Sequence, residues 1–332
     1  MNAEQIVDIT IVGGGPTGLA AAYYGGHRDA SVRIVESLEQ LGGQVSAVYP
    51  EKHIFDVAGF PKVNGQELID RLTEQAMQYN PEVRLGEVVN TVEHRPDGVI
   101  AMHTESGETL LTRTIIITAG HGAFNPRKLG LDELEQFEGR GLHYFVREKA
   151  AFAGKRVALV GGGDSALDWA MNLQDTAELP IRLIHRRDRF RGLESSVNEV
   201  RRLADEGAVE ILTPHEVRGA RGNGILQAIT VENTDTGEVR EIEVDAVVTL
   251  LGFISHLGPI ANWGLEFENK RQIKVNPSMQ TNLEGVYAAG DVAGYDGKIT
   301  LITVGFSEAA LAANHAVAAI RGEKVQPKYS TE

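Results

Sequence analysis

One glycine-rich pattern occurs twice in this chain, and it limits the possible folds more than any other feature of the sequence. At its first occurrence an apolar run, residues 9–12, leads into Gly13-x-Gly15-x-x-Gly18 and then into a stretch rich in small residues. A short strand, a turn without side chains and a helix that begins with small residues predict a β-turn-α unit. Glycines at this spacing let a pyrophosphate approach the backbone, so Gly13, Gly15, Thr17 and Gly18 are candidate dinucleotide-binding residues.

The second occurrence begins at residue 161 and is also preceded by an apolar run, residues 156–160. It reads Gly161-x-Gly163-x-x-Ala166, and alanine in the third place is an accepted variant of the pattern. In both halves a β-branched run follows the predicted helix, and a later apolar run ends in glycine. These runs are residues 31–35 and 114–120 in the first half, and residues 180–184 and 246–252 in the second half.

The repetition indicates a duplicated nucleotide-binding domain. We therefore predict an α/β fold with two Rossmann-like, three-layer ββα dinucleotide-binding domains. The C-terminal part offers only one more strand and an alanine-rich helix, from Phe306 to about Ile320, which cannot bury itself. We expect this part to complete the first domain, so that the second domain is inserted into the first. The predicted division is residues 1–118 and 250–332 for the first domain and 119–249 for the second.

The residue that follows each second strand differs between the halves. Glu36 occupies this place in the first half. In dinucleotide sites a carboxylate at this place accepts hydrogen bonds from the ribose hydroxyls. The alternative is a purely structural turn with a surface glutamate. His185 occupies the same place in the second half and precedes an arginine cluster. Arginines clamp a 2′-phosphate that a carboxylate would repel, which favours NADPH over NADH at the second site. The alternative is a solvated basic loop or a docking patch. The candidate residues for NADPH are Gly161, Gly163, Ala166, His185, Arg186, Arg187 and Arg191, with Arg189 beside them.

Composition excludes several kinds of chemistry. The chain has no cysteine, so disulfides, thiolate metal sites and redox dithiols are absent, and electron transfer requires bound cofactors. A net charge of −14 disfavours nucleic-acid binding, and no apolar run reaches the length of a membrane span. We expect no metal site, because the ten histidines lack metal-binding spacing. We expect a cytoplasmic protein, because the N-terminal sequence lacks the features of a signal peptide. Two dinucleotide sites on one chain imply hydride transfer between NADPH and FAD.

Three motifs resemble the flavoprotein reductases with two dinucleotide domains. They are Leu-Gly-Gly-Gln at 41–44, His-Arg-Arg-Asp-x-Phe-Arg at 185–191 and Gly-Val-Tyr-Ala-Ala-Gly-Asp at 285–291. Thioredoxin reductases carry Cys-x-x-Cys just before their second glycine-rich pattern. The corresponding residues here, 141–149, contain no cysteine. Segments 42–52, 56–61 and 329–331 are similar to the thioredoxin-reductase-like (type 2) ferredoxin–NADP⁺ reductases, and the resemblance covers essentially the whole chain.

The resemblance implies roles for individual residues. Tyr49 would stack on one face of the flavin, and the tail aromatic Tyr329 would cover the other face, reaching across from the partner subunit of a homodimer. Relatives have His or Phe at this tail position, so Tyr329 departs from them but keeps an aromatic plane. The alternatives are a core aromatic for Tyr49 and a tail residue without cofactor contact for Tyr329. The FAD-contacting residues implied by the resemblance are Glu36, Gln44, Tyr49, Val89, Phe124, Asp291 and Thr331.

The resemblance implies an NADPH-dependent FAD enzyme that passes hydride to flavin and then single electrons to ferredoxin or flavodoxin. Positioning and stacking by Tyr49 and Tyr329 carry the hydride step, and no acid–base residue is assigned. The alternatives are an NADPH oxidase or diaphorase with a small acceptor, and a flavin redox sensor without turnover. Because ferredoxins are acidic, docking on this acidic chain requires a basic patch. The candidate patch consists of Arg147, Lys149, Lys155, Arg201 and Arg202.

Overall fold

The computed structural model describes residues 5–269 and 271–324, apart from the side chains of residues 123–125 and 255. The chain forms two compact units: Met1–Phe124 with Ser255–Glu332, and Asn125–Ile254 between them. The second unit is therefore an insertion into the first. The chain enters and leaves it through strands β9 (Ala123–Pro126) and β18 (Phe253–His256), which pair with each other. The borders between the two units lie within these two strands, after residues 124 and 254. The sequence predicts the borders after residues 118 and 249.

A seven-stranded sheet forms the centre of the first unit. Its order is β5-β2-β1-β8-β7-β6, and β21 also pairs with β8. Strands β1, β2, β5, β8 and β21 run parallel, while β6 and β7 form an antiparallel hairpin. The strands are β1 (Val7–Val12), β2 (Val32–Val35), β5 (Glu82–Arg84), β6 (Val89–His94), β7 (Ile100–Thr104), β8 (Thr109–Ile117) and β21 (Val286–Ala288).

Strand β8 joins the two parts of this sheet. Its first half pairs with β7, from Thr109 to Thr112, and its second half pairs with β21, from Ile115 to Ile117. Strand β7 extends the central sheet, because β8 is long enough to hold a partner on the same edge at each end.

Helices pack on the central strands of the first unit. Helix α7 lies against α1, β1 and β8, and its buried alanines, such as Ala309 and Ala316, allow this close approach. It begins at Ile302, one turn before the predicted start, because Asp56 Oδ2 accepts a hydrogen bond from the Ile302 N–H. In the described part of the chain, no helix has the length and apolar character needed to cross a bilayer. The helices are α1 (Pro16–His27), α2 (Gly43–Val48), α3 (Gly65–Met77) and α7 (Ile302–Arg321).

The second unit contains a parallel five-stranded sheet in the order β10-β17-β11-β12-β13. Its central strands are buried on both faces, which explains their continuous apolar sequence. This arrangement repeats the parallel core of the first unit, and the predicted α/β fold with one dinucleotide-binding domain inserted into another is confirmed. The elements are β10 (Leu142–His143), β11 (Arg156–Val160), β12 (Glu178–Ile184), β13 (Val209–Leu212), β17 (Ala246–Thr249), α4 (Asp132–Glu135), α5 (Asp164–Asn172) and α6 (Glu194–Asp205).

Smaller sheets complete both units. In the second unit a three-stranded antiparallel sheet has the order β14-β15-β16, and residues 234–238 connect its last two strands. In the first unit β3 pairs with β4, and β20 lies between β19 and β22. These strands are β3 (His53–Ile54), β4 (Val63–Asn64), β14 (His215–Gly222), β15 (Leu226–Asn233), β16 (Val239–Glu243), β19 (Phe267–Asn269), β20 (Gln272–Lys274) and β22 (Ala293–Gly294).

Candidate functional site

The first glycine-rich turn connects β1 to α1, and its three glycines have different surroundings. Gly13 adopts a φ of +113°, and a Cβ there would lie 2.6 Å from the carbonyl oxygen of Thr118. A Cβ on Gly18 would overlap the carbonyl oxygen of Gly13. A Cβ on Gly15 would meet nothing within 4 Å. Gly13 and Gly18 are therefore required by packing, whereas the open space at Gly15 is suited to a ligand that approaches the backbone.

Glu36 follows β2 and faces this turn. Its side chain is 5% exposed, and Oε2 accepts a hydrogen bond of 2.7 Å from the Gly14 N–H. Oε1 accepts hydrogen bonds from the Leu38 N–H and the Ser37 hydroxyl. A carboxylate offers about four acceptor positions, so these three bonds leave capacity for a ribose hydroxyl. The carboxylate is thus held beside the turn, as the sequence predicts for a dinucleotide site.

Tyr49 lies close to two carboxylates that are distant in sequence. Burial raises the pKa of its phenol to about 12, and the negative charges of Asp291 and Asp56 act in the same direction. Tyr49 follows α2, Asp56 belongs to the loop between β3 and β4, and Asp291 follows β21. The fold therefore brings together the predicted residues Tyr49 and Asp291. It adds Asp56, which was not among the predicted site residues although it begins the quoted segment 56–61.

Asp291 is presented by a tight turn that packs on α1. Gly290 has a φ of +80°, and a Cβ there would lie 2.8 Å from the hydroxyl of Thr17. Gly305 of α7 also packs against Thr17. Asp291 Oδ2 lies 3.4 Å from His121 Nε2, a second neighbour that the sequence motifs did not indicate. Thr17, at the start of α1, therefore lies between the first glycine-rich turn and the turn that presents Asp291.

The other residues predicted for FAD have different surroundings. Gln44 is half-buried on α2, and its side-chain nitrogen faces Gly120 at the end of β8. Val89 is buried at the start of β6. The side chain of Phe124 falls outside the described part of the structure, and so do Tyr329 and Thr331. The cofactor roles of all these residues stay predictions.

The second glycine-rich turn connects β11 to α5 and repeats the geometry of the first. A Cβ on Gly161 would lie 2.6 Å from the carbonyl oxygen of Leu250, whereas a Cβ on Gly163 would meet nothing within 4 Å. Ala166 is buried and takes the place of the third glycine. The second turn therefore also combines packing constraints with open space at the middle position of the pattern.

His185 occupies the position that corresponds to Glu36. Val12 pairs with Val35 in the first unit and Val160 pairs with Ile184 in the second, so each residue follows its strand at the same register. The ring of His185 is 7% exposed, packs on Gly162 and stacks on Phe190. Burial lowers the pKa of His185, and the nearby arginines lower it further. Its Nε2 is buried and has no hydrogen-bond partner within residues 5–269 and 271–324.

The loop after His185 is fastened to the second turn by two hydrogen bonds. The Arg191 N–H donates to the Gly162 carbonyl at 2.7 Å, and the Leu193 N–H donates to Asp164 Oδ1 at 2.8 Å. Gly192 permits this approach, since a Cβ there would meet the Leu167 side chain at 2.5 Å. No ion pair is found within the described residues for the four arginine side chains of the loop, which are exposed. They are Arg186, Arg187, Arg189 and Arg191.

Comparison with known proteins gives a consistent result. Residues 7–310 match the family described as pyridine nucleotide-disulphide oxidoreductase. A protein of Oceanobacillus iheyensis named ferredoxin–NADP reductase 2 is 50% identical over 329 residues, which cover 99% of this chain and 98% of that protein. A ferredoxin–NADP reductase of Thermus thermophilus is 49% identical over 331 residues, with the same coverage of 99% and 98%. The crystal structure of Lactococcus lactis thioredoxin reductase matches with a TM-score of 0.77 and 25% identity, covering 95% of this chain and 99% of that one.

These matches confirm the family resemblance inferred from the motifs. The structural match extends over both units, although this chain has no cysteine and thioredoxin reductases were expected to carry a redox pair. The sequence identity to the two reductases, 50% and 49%, is about twice the 25% identity to the thioredoxin reductase, and both proteins are named for ferredoxin rather than thioredoxin. This chain therefore belongs to the pyridine nucleotide-disulphide oxidoreductase family and groups with its members named ferredoxin–NADP reductase.

Proposed function

We propose that this protein is an FAD-dependent oxidoreductase that transfers electrons between NADP(H) and ferredoxin or flavodoxin. One observation carries the proposal: the two glycine-rich turns share one geometry but are followed by different side chains, Glu36 in one and His185 with its arginines in the other. The names of the similar proteins support the choice of ferredoxin as acceptor.

The residues of the first unit fit FAD. The open space at Gly15 would receive the pyrophosphate, and the carboxylate of Glu36 would bind a ribose. Tyr49 would contact the isoalloxazine, with Gln44, Val89 and Asp291 as further contacts. Bound FAD would accept two electrons together and release them singly. The phenol of Tyr49 is neutral at physiological pH, and its raised pKa extends this range to more alkaline pH, so this side chain would add no charge beside the cofactor.

The residues of the second unit fit NADP(H). Gly163 would receive its pyrophosphate, and the exposed guanidinium groups of Arg186, Arg187 and Arg191 would bind the 2′-phosphate. His185 would support this site by packing on Gly162 beside the turn, and its Nε2 is buried without a partner among the described residues. Because the low pKa of His185 keeps the ring uncharged near neutral pH, the arginines would supply the charge that selects the phosphate.

We place Tyr329 on the flavin of a partner subunit. Helix α7 has 20 residues and is therefore about 30 Å long. Tyr49, Asp56 and Asp291 gather at its N-terminal end. Tyr329 follows Arg321 by eight residues, which span about 28 Å at most. A tail from the same chain would have to run back along almost the whole length of α7 in a fully extended form, which favours a homodimer with exchanged tails. Removing the residues after Gln326 should change NADPH affinity and turnover with ferredoxin, and unchanged kinetics would reject this role.

The basic patch suggested for docking is smaller than the sequence indicates. Lys149 Nζ lies 3.0 Å from Asp175, and Arg202 contacts both Glu199 and Glu206. These two positive charges are largely compensated by neighbours and are poor candidates for binding an acidic protein. Arg147 and Arg201, both exposed, stay as candidates for this contact.

The decisive experiment measures NADPH oxidation by the purified protein with ferredoxin, flavodoxin, thioredoxin, a quinone or oxygen as acceptor. We expect bound FAD and rapid turnover with ferredoxin or flavodoxin, and none with thioredoxin because the chain lacks a dithiol. Fast turnover with oxygen or quinone alone would favour an oxidase or diaphorase. Slow bleaching of the flavin by NADPH in a stopped-flow experiment would favour a redox sensor.

We also propose a cytoplasmic location, where the NADPH pool and soluble electron carriers are available, and no association with nucleic acid or membranes. The net charge of −14 supports this choice, because phosphate backbones and anionic lipid surfaces repel an acidic protein. Fractionation of cells that produce the tagged protein would test it.

A further inference from the structure

An ion pair is buried behind the Asp291 turn of the first unit. Lys298 Nζ contacts Glu308 Oε1, and the two side chains are 5% and 3% exposed. Moving two charges out of water is costly, and apolar side chains of similar volume often stabilise a fold equally well. A buried pair in this position therefore calls for a specific role.

Both charges are directed at the backbone of one residue. Glu308 Oε2 accepts a hydrogen bond of 2.7 Å from the Gly290 N–H, and Lys298 Nζ donates one of 3.0 Å to the Gly290 carbonyl. The Tyr295 hydroxyl donates to Glu308 Oε1 at 2.6 Å. The ion pair thus satisfies both polar groups of Gly290, and Tyr295 holds the carboxylate in place.

Gly290 sets the geometry of the turn that presents Asp291 in the candidate FAD site. Its left-handed backbone fits against Thr17 at the start of α1, and the next residue is Asp291. Glu308 lies on α7, whose N-terminal end faces Asp56 and Tyr49. The ion pair therefore connects the Asp291 turn to α7, the helix that begins beside the proposed flavin.

We propose that Lys298 and Glu308 are positioning residues of the FAD site: they fix the Gly290–Asp291 turn, and their opposite charges cancel beside the bound cofactor. This inference rests on the proposed binding of FAD to the first unit. The inference gives Lys298 and Glu308, which lie more than 100 positions after the motifs of the first half, a role in balancing the charge near the flavin.

The cancellation of charge gives the proposal a signature that a purely structural role lacks. Glu308→Gln keeps an acceptor for Gly290 but leaves the Lys298 ammonium without a counter-charge. This change should favour the reduced, more negative flavin and raise its midpoint potential. Lys298→Met leaves the Glu308 carboxylate uncompensated and should lower the potential. Loss of stability alone would not shift the potential in opposite directions.

The experiment uses the full-length protein loaded with FAD, with both single variants and the Glu308→Gln/Lys298→Met double variant. For each we would measure the FAD dissociation constant by flavin fluorescence, the midpoint potential by spectroelectrochemistry and the melting temperature. We expect each single change to weaken FAD binding by about tenfold and to shift the potential in opposite directions. The double variant should return to within about threefold of the wild-type affinity, with a potential near the wild-type value.

Arg28→Met is the matched control. Arg28 lies at the other end of α1, where it donates to Asn314 of α7 at 2.6 Å. Its replacement should lower the melting temperature without moving the potential or the FAD affinity. If a single variant does not fold, the double variant and Lys298→Arg, which retains the charge, still test the inference. Potentials that shift in the same direction, or single variants with wild-type affinity and potential, would overturn it. A wild-type protein that binds no FAD would overturn the proposed function as well.

Discussion

Asp56 Oδ2 accepts a hydrogen bond of 2.8 Å from the backbone N–H of Ile302, although 246 positions separate the two residues. Ile302 begins α7, and the residue before it, Leu301, has no side chain able to cap the helix. A carboxylate from a distant loop therefore caps α7. This contact ties the loop between β3 and β4 to the helix end beside Tyr49, and it combines a helix cap with a negative charge in the candidate flavin site.

Replacing Asp56 with alanine should destabilise the first unit. Loss of a helix cap costs about 0.5–2 kcal/mol, because a backbone N–H at the helix start loses its acceptor. Urea unfolding monitored by circular dichroism would measure the change. Asp56→Asn keeps an acceptor oxygen and should recover most of the lost stability. Equal stability of the alanine variant and the wild type would show that water replaces the cap without cost.

The open space at the middle glycine of each glycine-rich turn predicts two variants with opposite effects on the two cofactors. Gly15→Ala and Gly163→Ala add a methyl group where the protein has no atom within 4 Å and the backbone is extended, so both proteins should fold normally. Gly15→Ala should lose FAD while retaining NADP⁺ binding, and Gly163→Ala should do the reverse, because the methyl group occupies the space of a pyrophosphate. Flavin absorbance and calorimetric titration with NADP⁺ would measure both. Loss of both ligands in either variant would contradict the assignment of one cofactor to each turn.

The arginine loop should decide the choice between NADPH and NADH. The Arg186→Ala/Arg187→Ala double variant should reduce the NADPH/NADH ratio of kcat/KM by at least about tenfold, since a hydrogen bond to a charged group contributes about 1.5–3 kcal/mol. Arg218→Ala/Arg221→Ala removes the same charge from β14, where both arginines pair with glutamates, and should leave the ratio unaltered. An equal drop in both double variants would indicate a general charge effect instead of a phosphate clamp.

Asp164 should act on the same preference through the loop backbone. Its carboxylate holds the Leu193 N–H, so Asp164→Ala should loosen the loop and raise the dissociation constant for NADP⁺ by about tenfold, with a smaller effect on NAD⁺. Asp164→Asn retains the acceptor and should bind nearly as the wild type does. Asp205→Asn, an exposed position at the end of α6, controls for the lost charge. Similar weakening of NADP⁺ and NAD⁺ would place the effect at the pyrophosphate turn.

The phenol of Tyr49 predicts a loss of stability at alkaline pH. Its pKa is about 12 in the folded protein and near 10.0 in the unfolded chain. Between these values the unfolded chain releases a proton that the folded protein retains, so the free energy of unfolding falls as pH rises through this window. Chemical denaturation at several pH values would show a shallower decline for Tyr49→Phe than for the wild type. Titration of lysines is common to both proteins and cancels in the difference. Parallel curves would mean that Tyr49 ionises normally.

Local patterns were enough to identify the two dinucleotide turns. Gly13 and Gly18 are fixed by contacts within the β-turn-α unit or with the neighbouring strand, so their spacing alone predicts their geometry. The same is true of Glu36 and His185, because each lies directly after a strand whose register follows from its apolar run. For these residues a short stretch of sequence specifies the local structure, and the α/β fold with an inserted domain follows from their repetition.

Contacts between distant segments were not predictable in this way. The helix cap of Asp56, the ion pair of Lys298 and Glu308 around Gly290, and the pinning of Leu193 by Asp164 each depend on how separate elements pack. Glu308 gave one signal, as the only acidic residue of an alanine-rich helix, but its partners could not be inferred without the fold. The pairing of Lys149 with Asp175 was equally hidden, because 26 positions separate them. The pairing of Arg202 with Glu199 and Glu206 is local, and the spacing of three and four residues on a helix indicates it.

The sequence by itself determined the architecture and the two kinds of nucleotide turn, since short-range backbone geometry and side-chain periodicity are encoded within a few residues. Its lack of cysteine also excluded dithiol chemistry, because no fold can supply a thiol that the chain does not contain. Only the tertiary structure decided which charges surround Tyr49 and the Asp291 turn. Electrostatic interactions depend on distance and burial, and packing brings residues such as Asp56, Lys298 and Glu308 to that place from remote parts of the chain.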